Sequence, residues 1–537
     1  LRRGPLLAAA VALLVYLPSV AGGFLYDDQH VVVDNRAIRD LGALGTVLRS
    51  DPARPLLSLS WALNYALAGL RPWPYHLVNV AIHACNAALL ASLFLWMAAH
   101  RGGTRAPQAA LLGACLFAAS PMAVETVAYV SSRSTALAAL FVLASLRLAA
   151  PALEGGPRGR LATALLLFAA ALATKEEAVS MPLFLLLLDL FFVAQEPREV
   201  LRRKWLHASF LALPLLGLIA RRAVTGGWLP APAIDPGRYL LTQWAAFPLY
   251  FLRSLLPIDP AFYRGHPPAA WPPGAATLIG SVATLALASG AVAFRRRLAD
   301  WSFAVAWLAA GLLPSSSFVA LKEMVVDHRA YLGGAGVAFA LGGLYRPGRA
   351  GLAAFLVGLL AARSLHYEWV LADPVRAWED AVRRAPRSVE ARRALAEAHA
   401  ARGGPGAEAA LKAALELDPA DARSWTNLGA LYAEMGRMQE AAQAMGQAAR
   451  LLPFDPRVRD NHGMLLMRLG REAEAETEFV AAVSADPPLA QPRINLAALL
   501  IRRGQTDLAS RLLDDAARLE IDEQDARAIE SLRARLK

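Results

Sequence analysis

Apolar runs long enough to cross a bilayer fill the first two thirds of this chain, and no other feature limits its fold as strongly. A helix needs about 20 apolar residues to traverse ~30 Å of hydrocarbon. Runs of that order, parted by short loops, recur from Pro5 to His366. Backbone N–H and C=O groups have no partner in lipid, so each run must satisfy its own hydrogen bonds as a helix. Spanning helices are expected at about residues 5–22, 74–99, 107–124, 132–149, 160–174, 178–194, 206–222, 275–294, 301–318, 330–345 and 350–366, eleven in all. A hydrophobic share of 56% over 537 residues lies above the range of soluble globular chains. The first run follows Arg2 and Arg3 and exits through Gly22-Gly23-Phe24-Leu25 without a small-x-small cleavage site, so it reads as a retained helix.

The formal net charge of +11 could suggest a nucleic-acid partner, but the basic residues are scattered among short loops and form no stripe. Topology accounts for them. Arg2 with Arg3, Arg101 with Arg105, Arg158 with Arg160, Arg202 to Lys204, Arg295 to Arg297, and Arg346 with Arg349 alternate as the positive-inside rule requires. All six groups are expected to be cytoplasmic, along with the N-terminus, in a multi-pass protein of the plasma (inner) membrane. Residues 238–256 are apolar, but Arg238, Arg253 and Pro248 suit a helix in the interface, within an external loop over 223–272. Cys85 and Cys115 lie inside apolar runs without further ligands nearby, so they read as packing residues and no metal or cofactor is called for.

From about residue 371 the composition turns to Ala, Arg, Glu and Leu, with a period of 34 residues. The clearest unit carries Trp425, Leu428, Gly429, Tyr432, Ala441, Ala448 and Pro453 at tetratricopeptide positions. The next carries Gly463, Ala475, Phe479, Ala482 and Pro487. An earlier unit ends at Pro419, and a later one has Ala509 and Ala516. Small residues let the two helices of a unit approach, and proline ends the second. The expected architecture is therefore all-α: a membrane domain over 1–370 and an α-solenoid of about four repeats over 371–537.

Polar groups inside lipid cost several kcal/mol unless paired or wet, which makes them candidates for function. His76, Asn79, His83 and Asn86 share one face of the second helix, starting from its external end. Glu125, Tyr129 and Arg133 lie at the external end of the third, Lys175, Glu176 and Glu177 join the fifth to the sixth, and Asp327, His328 and Arg329 open the tenth. Asp189 falls near a cytoplasmic end and reads as structural, paired with a cytoplasmic Arg. Asp27 and Asp28 emerge directly from the first helix, where a lipid head group would lie, beside an amphipathic stretch from Arg54 to Leu70. An acidic turn is commonly just solvated. Two adjacent carboxylates at such a place can, however, raise one pKa, which suits a general base.

Taken together, YDD after the first helix, RPLLSLSWALN, PYHLVNVAIHACNA, SPMAVETVAYVSSRS, ATKEEAVSMPLFLLLLD, LLPSSSF and DHRAYL ahead of the repeats resemble one family. It is the transmembrane and tetratricopeptide repeat-containing family of O-mannosyltransferases, with its bacterial relatives. The resemblance implies a C-type glycosyltransferase (GT-C) fold that takes a sugar, mannose, from a polyprenyl-phosphate donor. It implies transfer to Ser or Thr of a protein on the non-cytoplasmic side, with the repeats gripping the acceptor. By the same resemblance Asp27 or Asp28 would be the base, with Asp27 favoured. Arg133, Lys175 and Arg329 would face the donor phosphate, while His76, His83 and Glu125 would bind sugar hydroxyls or hold Asp27. The chain departs from its relatives in reading Asp327-His328-Arg329 where they usually have Glu-Arg. Two other functions fit the same residues less fully: a membrane-anchored repeat scaffold without catalysis, and a transferase acting on glycolipid or polysaccharide.

Overall fold

The structure, a computed structural model, describes residues 3–536 except 103–104, 157, 195, 226–233, 317–319, 322, 486–487 and 520. All described elements are helical, and each of the eleven expected segments contains helix. Among the described residues, five helices are long and apolar enough to cross a membrane: Gly4–Ala21, Pro72–Arg101, Val130–Leu153, Ala275–Ala293 and Ala350–Leu371. A sixth candidate is the pair Ala106–Ala118 and Pro121–Ala128, bent by 46°. The bend has a local cause. The Ser120 hydroxyl accepts from Met122 N–H, and Pro121 has no N–H to continue the preceding ladder. Other expected spans are shorter as helices, such as Leu161–Leu172 and Ala299–Leu312, because hydropathy runs on through turns that hydrogen bonding does not.

Residues 238–256 form a helix, Pro236–Leu255, with Pro248 inside it. Arg238 donates to the Ala269 carbonyl near one end, and Arg253 pairs with Asp327 at 3.5 Å near the other. Asp189 does pair with a basic residue: Arg203 and His207 each lie 2.8 Å from its carboxylate.

Small residues set the helix spacing, as expected where lipid offers no hydrophobic drive between helices. A Cβ on Gly113 would stand 2.8 Å from the Ala338 carbonyl, and one on Gly342 would collide with the Ala109 carbonyl, so Ala106–Ala118 and Tyr331–Gly342 nearly touch through their backbones. On another face of the latter helix, a Cβ on Gly336 would sit 2.8 Å from Trp307 Cβ. Two compact units divide the chain at Ala385 and Pro386, so the helix Pro374–Arg384 belongs to the first.

The second unit pairs helices Val389–Ala400 with Gly406–Leu417, Ala422–Glu434 with Met438–Leu451, Pro456–Arg468 with Glu472–Val483, and Ala490–Arg502 with Thr506–Ala517, then adds Glu523–Ala534. Ala441, Ala475, Ala509 and Phe479 are fully buried. A Cβ on Gly463 would stand 2.6 Å from the Phe479 ring, and one on Gly429 3.1 Å from Met445, which is why those positions are glycine. Gly436, Gly470 and Gly504 take φ of 74°, 75° and 75° at the turn inside successive repeats, a left-handed conformation cheap only for glycine. Asp421 and Asp455 cap the helices that follow them. Pro487 lies outside the described residues.

Candidate functional site

The loop leaving the first helix makes one turn and presents its two aspartates in opposite ways. Tyr26 has φ of 49°, a left-handed conformation that costs a non-glycine residue about 1 kcal/mol or more and persists only where the surroundings enforce it. Enforcement comes from both sides. The Tyr26 ring packs edge-on against Trp378 at 5.1 Å and near Phe262 at 6.2 Å, and Asp27 N–H donates to the Tyr129 hydroxyl at 3.0 Å. Asp28 is fully buried, and its carboxylate accepts from Leu25 N–H at 3.0 Å, Ser131 N–H at 2.7 Å and the Ser131 hydroxyl at 2.5 Å. Asp27 next to it is exposed.

Burial is the main influence on Asp28 and pushes its carboxyl up to about 7. The hydrogen bonds from Ser131 and Leu25 pull the other way, and the neighbouring Asp27 adds to the rise. An acid that titrates near neutrality beside an exposed carboxylate is a pattern common at catalytic sites.

Behind this loop, Arg133 is fully buried. It donates to the Asn79 side chain at 2.8 Å, the Tyr75 carbonyl at 2.8 Å, and the Ser60 carbonyl and hydroxyl at 3.3 and 3.4 Å. Asn79 donates in turn to the carbonyls of Val127 and Tyr129. The guanidinium thus braces the segment that holds Asp28. His76 is adjacent, its Nε2 3.2 Å from the Gly23 carbonyl.

The other expected residues form neighbouring clusters. Glu125 receives His328 N–H at 3.1 Å and lies 2.6 Å from His328 Nδ1. Lys175 donates to Thr135 at 2.7 Å, two residues past Arg133, and pairs with Glu177 at 3.3 Å. Arg329 is buried and donates to the carbonyls of Glu323 and Met324 and to the Tyr239 hydroxyl. His83 lies deeper, fully buried, with Nδ1 2.6 Å from the Tyr331 hydroxyl and Nε2 3.2 Å from the Ala118 carbonyl. It belongs to an interhelical network with Asn86 and is not gathered at the acidic loop.

Asp28–Ser131, Glu125–His328 and the Arg54–Glu176 pair at 2.9 Å tie four sequence-distant helix ends into one end of the bundle. Among the described residues no group of His, Cys, Asp and Glu has the arrangement of a metal site.

Several site residues escaped the sequence reading. Phe262 bridges Tyr26, Tyr129 and Trp378. Arg264 pairs with Asp327 at 2.9 Å, and Arg384 links Asp259 to Asp380. Nothing in the local sequence marks these, since their partners lie 60 or more residues away in most cases. Asn427, Asn461 and Asn495 are different. They recur at the repeat period on the first helix of three successive units, and that signal was visible in the sequence.

Tetratricopeptide repeat models match residues 410–443 and 456–488. Over 154 residues the chain is 33% identical to the Homo sapiens protein O-mannosyl-transferase TMTC2, a match covering 26% of this chain and 18% of that protein. It is 31% identical over 161 residues to Homo sapiens TMTC4, covering 26% and 22%, and 32% identical over 204 residues to Drosophila melanogaster Tmtc2, covering 34% and 21%. Over these segments the chain is similar to the TMTC protein O-mannosyl-transferases. The matches span about a fifth of the length of these TMTC relatives. Apolar helices followed by tetratricopeptide repeats agree with that likeness.

Proposed function

We propose that the chain is a membrane glycosyltransferase that moves mannose from a polyprenyl-phosphate donor to Ser or Thr of a protein acceptor on the non-cytoplasmic side. The observation that carries this reading is the asymmetry of the acidic pair. Asp27 is exposed on a turn fixed by its neighbours, and Asp28 is buried and pinned by Ser131. Asp27 takes the proton of the acceptor hydroxyl. The oxygen attacks the anomeric carbon, the bond to phosphate breaks, and polyprenyl phosphate leaves with inversion, without a covalent intermediate. Asp28 positions the turn.

The donor phosphate gains negative charge as its bond breaks, so cations near it lower the barrier. Lys175 is assigned that task; Arg329, buried and donating to the Glu323 and Met324 carbonyls and the Tyr239 hydroxyl, is assigned to positioning. Arg133, expected from the sequence at the phosphate, is committed to Asn79, Tyr75 and Ser60 and is assigned to positioning. Glu125 with His328, and His76, are the candidates to meet sugar hydroxyls. The repeats bind the acceptor polypeptide. The proposed sidedness is supported by the alternating basic loops and by the meeting of the expected external ends through Asp28–Ser131, Glu125–His328 and Arg54–Glu176.

The test is to incubate membranes containing the full chain with labelled polyprenyl-phosphate mannose and an unlabelled protein acceptor. Label should appear in protein as alkali-labile O-linked mannose. Label in lipid alone would move the reading to a glycolipid transferase, and no transfer above empty membranes would leave a repeat scaffold.

A further inference from the structure

The helix Pro374–Arg384 follows Ala350–Leu371 after Ala372 and Asp373, and it is the last element before the repeats. Asp373 opens it by accepting from Val375 N–H at 2.9 Å and Arg376 N–H at 3.2 Å, and Pro374 takes the first helical position, where no N–H is needed. Ala377, Trp378, Asp380 and Ala381 are buried, while Glu379 and Arg383 on the other side are exposed. With alanine on either side of it, Trp378, 3% exposed, is the large ring that this face delivers.

That ring lands on the acidic turn. Its centroid is 5.1 Å from the Tyr26 ring, 5.2 Å from Phe262 and 5.7 Å from Tyr263. Polar bonds fix the helix in this place. Arg384 donates to Asp380 at 2.7 Å and to Asp259 at 2.5 Å, and Arg264 donates to the Asp259 carbonyl at 2.6 Å. The Tyr367 hydroxyl accepts from Phe262 N–H at 2.6 Å and donates to Asp380 at 3.3 Å. The loop that carries Phe262 and Tyr263 is thereby tied to the same helix at several points.

We propose that Trp378 is a positioning residue for the transfer: it holds Tyr26 in its left-handed conformation, and through Tyr26 it sets the direction of the Asp27 carboxylate. This rests on the reading in which Asp27 is the base. A residue with a Cβ leaves the left-handed region when nothing opposes it, because Cβ crowds the following carbonyl there. Tyr26 precedes Asp27 directly, so rotation at Tyr26 swings the carboxylate. The Tyr129 hydroxyl restrains the same turn at Asp27 N–H, which leaves the Tyr26 side to the aromatic contact. General-base chemistry needs reacting atoms about 3–3.5 Å apart, and a misplacement of ~1 Å can cost about 100-fold in rate. The base is thus set by residues from nearly opposite ends of the first unit, one of them in the segment through which the repeats are attached.

Two measurements are made on the full chain, one of which needs no activity. Mannose transfer gives kcat and the donor KM, and hydrogen exchange read by mass spectrometry follows the Asp27 and Asp28 amides, which are bonded to Tyr129 and to the Leu25 carbonyl. Trp378→Ala should lower kcat about tenfold to 100-fold, with KM within about threefold. It should also speed exchange at the turn by about tenfold, whereas Trp378→Phe, which keeps a ring in place, should stay within about threefold of wild type in both. Asparagine enters the left-handed region at little cost, so in a Tyr26→Asn background Trp378→Ala should lower kcat by less than about threefold. An equal loss in both backgrounds overturns the proposal, since Trp378 would then act elsewhere than through Tyr26. Wild-type kcat or unchanged exchange in Trp378→Ala overturns it too, as does a loss confined to KM. If wild-type membranes transfer no mannose, the functional reading fails, and the exchange rates of the Ala and Phe variants still decide whether Trp378 holds the turn. Should Trp378→Ala fail to insert, Trp378→Leu, apolar but without a ring, takes its place with the same expected outcomes.

Discussion

Replacing each aspartate of the acidic pair with asparagine should give two different kinds of damage. Asp28 accepts three hydrogen bonds, two on Oδ1 from Ser131 and one on Oδ2 from Leu25 N–H, all in a buried setting. An asparagine has one acceptor oxygen, so whichever way its amide turns, an NH₂ group must face a backbone N–H or the Ser131 pair. Leaving a buried donor unsatisfied costs ~1–3 kcal/mol. Asp28→Asn should therefore weaken the anchoring of the turn by about 2 kcal/mol, a change of ~30-fold in its ordered population. Asp27→Asn removes an exposed carboxylate without opening any buried bond through its backbone, since its N–H still donates to Tyr129. It should leave Tm within a degree or two and lower transfer ~100-fold to 10,000-fold, the usual worth of a general base. The assay is transfer of label from polyprenyl-phosphate mannose to protein, run beside thermal melting and limited proteolysis at the loop over 22–35. Near-normal transfer by Asp27→Asn would remove it as the base. A wild-type melt and uncut loop in Asp28→Asn would refute the pinning argument.

Four further outcomes follow from the same geometry. The Asp28 carboxyl titrates at about 7 when folded against 3.8 as its ordinary value, so between roughly pH 4 and 7 the folded state holds the extra proton. Its contribution to stability should be full below pH 4, fall as pH rises to 7 and stay flat above, and Asp28→Asn should erase that slope in Tm against pH. Arg133→Ala should cut stability by about 3 kcal/mol by stranding Asn79, the Tyr75 carbonyl and Ser60, while donor affinity in the protein that does fold stays within threefold; a stable variant with lost donor binding would return Arg133 to the phosphate. Gly463→Ala should destabilise the repeat unit by ~1–3 kcal/mol through its clash with Phe479, seen as a lower or earlier melting transition in circular dichroism, and an unshifted transition would contradict the packing reading. A reporter active only in the cytoplasm, fused after Lys537, should stay silent, and activity from it would reverse the proposed side of the repeats.

The repeats were legible from sequence because their determinants are local: Gly463 and Phe479 meet within one unit, and the period aligns each unit with the next. The acidic loop was legible as a place, through its position after the first apolar run. Which aspartate is exposed was not, since burial of Asp28 depends on Ser131, more than a hundred residues on. The polar stripe on the second long helix was read on one face correctly, yet periodicity cannot say what a face meets. His76 meets the loop at Gly23, whereas His83 and Asn86 meet the interior at Tyr331. Span lengths blurred for a related reason: hydropathy averages across Ser120-Pro121, where the helix bends.

The glycine seam described between Ala106–Ala118 and Tyr331–Gly342 acts mechanically as a hard stop. With backbones in near contact at Gly113 and Gly342, and Gly336 seated against Trp307, the helix Tyr331–Gly342 has no compressible layer on either side. Pro236–Leu255 packs against it as a third neighbour, while the leucines of Ala350–Leu371 face it across an open space instead of a backbone. Whatever occupies that space therefore meets a yielding wall on the side of Ala350–Leu371, while the glycine side serves as the fixed jaw.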